Sequence, residues 1–179
     1  MTCIARTIGL NRENFQRRLS CGAQIENRKY IDSMDPKFMI EQGIPFAGRT
    51  EVKVLELAPG YEKMMMPLQP NLNHVGTMYA GALFTLAELP GGAIFLSTFD
   101  ANRFYPLIKG MEIKFLKPAT TDITVEVRLE PDEAARIQED ANDNGKANYH
   151  WECELKDANG QVVAVSSNRY QLRSMKPGA

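Results

Sequence analysis

From Thr50 onward the chain changes its polar–apolar rhythm several times, and each rhythm predicts an element. EVKVLELA alternates as a strand does, Pro59-Gly60 marks a turn, and YEKMMMPL continues as a second strand. A polar loop, QPNLNHVGT, then gives way to small and apolar residues that predict a helix from about Met78. Pro90 removes a helical hydrogen bond and Gly91-Gly92 loosens the backbone, so a kink or break is expected there. Beyond it, KGMEIKFLKPA places Met111, Ile113 and Phe115 on one face, with Glu112 and Lys114 on the other. ITVEVRL puts Ile123, Val125, Val127 and Leu129 inside. A short helix opens on Pro131-Asp132-Glu133 and stops at Asn144-Gly145. NYHWECEL turns Tyr149, Trp151, Cys153 and Leu155 inward and His150, Glu152 and Glu154 outward; residues 157–160 then form a hairpin turn into QVVAVSSNRYQL. Strand, strand, long helix, then three or more strands predicts an α+β domain whose antiparallel sheet wraps around one apolar helix.

Upstream the order is weaker. The first 30 residues lean basic, and residues 1–34 show no clean periodicity beyond a helix around Phe15 and Leu19. Asp35-Pro36 reads as an N-cap followed by proline at the first helical position, and the helix 37–42 stops at Gly43 and Pro45. The chain therefore divides into an N-terminal helical or irregular arm (1–34), a main domain (35–173) and a C-terminal tail (174–179). The arm lacks the apolar stretch of a secretory signal; a polar arm and an organelle transit segment both stay open.

With 179 residues, 44% of them hydrophobic, and a net charge of −1, the chain suits one globular core. No basic stripe marks it as a nucleic-acid binder. No apolar run approaches the roughly 20 residues that a membrane span needs. Cys3, Cys21 and Cys153 are scattered and odd in number, neither a disulfide framework nor a metal pattern, which fits a reducing, cytoplasmic setting.

Candidate chemistry concentrates in NHVGTMYAGALFTLAE, residues 73–88. One carboxylate, Glu88, stands among Leu83, Phe84, Leu86, Ala87 and Leu89, and such burial is costly unless the acid has work or a partner. The helix start offers unpaired N–H groups where partial positive charge collects. A desolvated carboxylate with an anion-stabilising helix start is equipment for attacking a carbonyl and points to thioester hydrolysis.

The same segment, with the order of elements, resembles the hotdog-fold acyl-CoA thioesterases, nearest to the phenylacetate-pathway-type enzymes and a related branch of uncharacterised domains. Their pattern is Asn or Gln, then Gly-Thr, then a His-Gly-Gly-like triplet, with an acid 15 residues after the first. Asn73 and Glu88 keep that spacing here, and Gly76-Thr77 and the Leu86-Ala87-acid ending match. The following strand and the inserted helix near 131–143 extend the resemblance over roughly residues 36–172. The triplet stands here as Tyr79-Ala80-Gly81, and Gly92 occupies the position, one turn past the acid, where many relatives carry a hydroxyl.

The resemblance implies that the Ala80 N–H polarises the thioester carbonyl, that Glu88 acts as general base or as nucleophile, and that Asn73 orients the water or the carbonyl. Tyr79, Gly81, His74 and Thr77 would line the substrate site. Other roles stay open: an Asx turn for Asn73, a core aromatic for Tyr79, a solvated loop histidine for His74. Met64, Met65 and Met66 could line an acyl tunnel or fill a core. Lys109, Lys114 and Lys117 could meet coenzyme A phosphates or remain solvated surface. No metal or redox cofactor is called for; coenzyme A enters as part of an acyl-CoA substrate, with an acyl-carrier thioester as the other source. Eight residues of helix separate Ala80 from Glu88 by about 12 Å, too far for one carbonyl to touch both. Two antiparallel copies would bring Ala80 of one chain to Glu88 of the other, so a homodimer, or a tetramer built from such dimers, is expected. Non-catalytic acyl-CoA binding or regulation is the alternative function.

Overall fold

A computed structural model describes residues 35–175; the expected helix near Phe15, Cys3 and Cys21 lie outside them. Proline opens two short helices, α1 (Pro36–Gln42) and α2 (Pro45–Gly48), where a missing N–H costs nothing. β1 (Lys53–Ala58) and β2 (Tyr61–Met66) form a hairpin around Gly60, whose φ of 71° and close approach to the Leu129 carbonyl leave no room for a Cβ.

The apolar helix comes in two pieces, α3 (Ala80–Glu88) and α4 (Pro90–Thr98), joined at Leu89, as the proline and glycines require. Together they make 19 residues apolar enough to cross a membrane by length and composition, which corrects the expectation that no such run exists. Most of that stretch is buried within the domain (61%), so its apolarity serves the core.

The remaining elements are β3 (Phe104–Phe115), β4 (Ile123–Arg128), α5 (Pro131–Asn144), β5 (Lys146–Lys156) and β6 (Val162–Ser174). The tail expected from residue 174 thus begins after Ser174, which still pairs with Phe104. The six strands form one antiparallel sheet in the order β1-β2-β4-β5-β6-β3. Alternation on β4 and β5 matches the expectation: Ile123, Val125, Val127, Tyr149, Trp151, Cys153 and Leu155 are all buried. α5 ends on Gly145 in the left-handed conformation, the terminus its Asn-Gly pair predicts.

β3 departs from expectation. It starts at Phe104 rather than Lys109, and Phe115, expected inside, is 50% exposed. As an edge strand, bonded only to β6, β3 covers the core incompletely and tolerates Pro106 near its start.

Candidate active site at the helix start and the helix break

The loop before α3 is tied down from within. Asn71 Nδ2 donates to the carbonyls of Thr50 (2.7 Å) and Pro67 (2.9 Å), and its own carbonyl accepts the Tyr79 N–H at 2.7 Å. Asn73 Oδ1 accepts the N–H groups of Val75 (2.9 Å) and Thr77 (3.1 Å), while Nδ2 donates to Thr77 Oγ1 at 2.8 Å. Asn73 is therefore an Asx-turn residue that shapes the loop, with one amide hydrogen left for anything else. Gly76, at φ 82°, lets the loop turn, and His74 lies exposed at its tip.

Tyr79 caps α3 in an extended conformation and makes no side-chain cap. Its carbonyl takes the Ala82 N–H (2.9 Å) and the Leu83 N–H (3.2 Å). The N–H groups of Ala80 and Gly81 make no hydrogen bond among the described residues. They are the orphan donors that a helix N-terminus presents to an anion. The Tyr79 ring, 60% exposed, folds back over Gly81, where a Cβ would come within 2.4 Å of its Cε1. Thr77 Oγ1 is spent on Asn73, beside rather than within this donor pair.

Glu88 ends α3. It is half-buried, and its carboxylate makes no hydrogen bond or ion pair among the described residues. Burial alone raises its pKa above the usual carboxylate range. The structure thus keeps Ala80, Gly81, Tyr79, Asn73, Thr77 and His74 together at one end of α3 and sets Glu88 at the other, as helical geometry requires. Gly92 is exposed, with open space beside it. Lys114 is paired with Glu112 at 3.5 Å on the solvated outer surface of the sheet.

Sequence reasoning overlooked Asn168, Tyr170, Ser166 and Glu62, which lie beneath this helix. Asn168 donates to the Ala87 carbonyl (2.9 Å) and Tyr170 to the Glu88 carbonyl (3.2 Å), both from the inner face of β6. Cys153 and Ser166 face each other across β5 and β6, with Sγ and Oγ 2.9 Å apart. Opposite them on β2, Glu62 is fully buried, with neither carboxyl oxygen hydrogen-bonded among the described residues. Burial first, and Glu126 second, push its pKa up to about 8. Met64 and Met66 share its face and fill the core; Met65 points the other way and is only partly covered.

A single antiparallel sheet wrapped about one kinked apolar helix, with its candidate site along that helix, is the hotdog fold. Residues 36–171 match the family described as Domain of unknown function (DUF4442), and the chain belongs to that family. The Pseudomonas aeruginosa protein PA5026, described as of unknown function and a probable thioesterase, is 48% identical. The match covers 78% of this chain and 93% of that one, with a TM-score of 0.76. Two more distant structures, each of a mutant protein, share the fold. Thioesterase PA1618 of the same organism is 14% identical over 80% of this chain and 96% of its own, at TM-score 0.60. The phenylacetic acid degradation protein PaaI of Thermus thermophilus is 19% identical over 73% and 99%, at 0.51. A search among functionally curated proteins returns no match.

Proposed function

We propose that the protein hydrolyses acyl thioesters of coenzyme A or an acyl carrier, as a homodimer with each site shared between two antiparallel α3 helices. The observation that carries this is one helix bearing two unpaired N–H groups at its start and an unpaired, desolvated carboxylate at its end. The thioesterase names of the structural relatives support the same chemistry.

In the shared site, the Ala80 N–H of one protomer donates to the thioester carbonyl. Glu88 of the other takes a proton from a water, and the resulting hydroxide adds to the carbonyl carbon. The tetrahedral oxyanion gathers on the Ala80 donor, which is worth a few kcal/mol in sites of this kind. Its collapse breaks the C–S bond, and the thiolate leaves with the proton that Glu88 holds. A carboxylate with a raised pKa suits both the taking and the giving of that proton. Alanine at position 80 keeps the N–H while limiting how closely the substrate can approach. The Tyr79 ring forms a wall over Gly81, His74 and Thr77 border the entrance, and the remaining Asn73 amide hydrogen is free to hold the water or the carbonyl. No cofactor takes part beyond the coenzyme A of the substrate. The free thiol of Cys153 accords with a cytoplasmic setting.

The test is thiol release, followed with a thiol reagent over short, long and aromatic acyl-CoAs, for wild type and Glu88→Gln. Turnover in the variant should fall by about 100-fold or more with the fold intact. Equal rates in both proteins would sink the assignment. Because the Asn73 side chain is largely committed to its own loop, acyl-CoA binding without hydrolysis is the second reading. Tight binding with no thiol released from any substrate would select it.

A further inference from the structure

Nothing orients the Glu88 carboxylate through its own atoms, since it makes no hydrogen bond or ion pair among the described residues. Its direction is set through the main chain, and the main chain breaks there. Pro90 has no N–H to give, and the N–H groups of Gly92 (3.0 Å) and Ala93 (3.1 Å) both turn to the Leu89 carbonyl. The Glu88 carbonyl is held instead by the Tyr170 hydroxyl at 3.2 Å, next to the Asn168 amide on Ala87.

Tyr170 is well fixed for that duty. It is 2% exposed, and its ring packs on Trp151 (4.6 Å between centroids) and Tyr149 (5.6 Å). It reaches the helix only because residue 91 is glycine: a Cβ there would fall 2.1 Å from Tyr170 Cε1 and 2.8 Å from its oxygen. Burial above all, and then the Glu88 carboxylate, keep the phenol far above its usual pKa, so it stays a neutral donor. Gly92 brings no hydroxyl to this turn, and Thr85 spends its own on the Gly81 carbonyl at 2.8 Å. Among the described residues, Tyr170 supplies the hydroxyl that reaches the Glu88 main chain.

We infer that Tyr170, admitted by Gly91, is a positioning residue that fixes the helix break and so aims the Glu88 carboxylate at the substrate carbonyl. The inference rests on Glu88 being the general base. An ordinary helix-capping role would stabilise the fold alone, and a double-mutant cycle separates the two. Tyr170→Phe keeps the ring and removes only the hydroxyl. Its kcat should fall roughly 10- to 100-fold with KM within about twofold of wild type, the scale expected when a reacting group is misplaced. In a Glu88→Gln background the same change should cost nothing further, because no carboxylate remains to be aimed. Assays run below the melting transition of each variant keep the comparison valid if the hydroxyl also stabilises the fold. Unchanged kcat in Tyr170→Phe, or an equal loss in both backgrounds, would overturn the positioning role while leaving Glu88 as base. Wild-type turnover in Glu88→Gln alone would instead overturn the base, and the inference with it.

Discussion

Glu62 sits fully buried on the inner face of β2, with neither carboxyl oxygen hydrogen-bonded among the described residues. A carboxylate cannot hold its charge there cheaply, so the folded protein keeps the proton to about pH 8, whereas the unfolded chain releases it near the ordinary value of 4.5. The sign follows from linkage: this group favours the folded state fully below the unfolded pKa, and that stability is lost as pH rises through the folded one. Wild-type melting temperature should therefore decline between about pH 5 and pH 8, by an amount reflecting a few kcal/mol. Glu62→Gln should flatten the curve, and parallel curves for the two proteins would refute the account. This residue was legible in principle. Parity along YEKMMM puts Glu62 on the face of Met64 and Met66, but the turn before it and the methionines after it hid the alternation. Asn73 shows the converse. Its spacing to Glu88 marks it plainly, whereas its loop-building hydrogen bonds lie in backbone geometry that spacing does not encode.

At the scale of elements, the break at Pro90 was legible because proline and glycine act locally. What secures the break was not, because the donors come from β6, some eighty positions further along the chain. The strands β4 and β5 read cleanly from alternation since each is flanked on both sides; β3 did not, since an edge strand has one neighbour and a mixed pattern of burial. Asn168 is the residue on which the helix break and the sheet agree: it is fully buried, lies opposite Trp151 and donates to the Ala87 carbonyl. Asn168→Ala removes a buried donor and leaves a void, and should cost about 2–4 kcal/mol in urea unfolding. Its exposed neighbour Arg169, changed to alanine, should stay within roughly 0.5 kcal/mol of wild type. Comparable losses at both positions would place the stabilisation in β6 pairing rather than in the fastening of the helix.

At the scale of the whole molecule, the exposed apolar side chains among the described residues include two groups that bear on pairing between copies. Tyr105, Leu107, Ile108 and Phe115 lie along the edge strand β3, and Leu72, Val75, Tyr79 and Phe84 lie around the start of α3. A long apolar edge strand invites pairing with another chain, and a two-fold axis would cover the same patch on both copies. Helical geometry makes the same demand from the chemistry, since about 12 Å separates Ala80 from Glu88 within one protomer. A shared site has a consequence that a site within one chain does not. Ala80→Pro removes the proposed oxyanion donor and should leave the helix standing, because proline is at home at the first helical position and Tyr79 already has the extended conformation that precedes it. Glu88→Gln removes the proposed base. Each variant alone should keep only about 1% of wild-type turnover or less. Mixed and allowed to exchange subunits, they form heterodimers in which one site joins the intact Ala80 of one chain to the intact Glu88 of the other, while the second site carries both defects. Random pairing makes half of the dimers mixed, each with one working site, so thiol release should return to about a quarter of the wild-type rate. Activity that stays at that residual level after exchange, with mixed dimers verified by mass spectrometry, would mean that donor and base never meet across the two-fold axis.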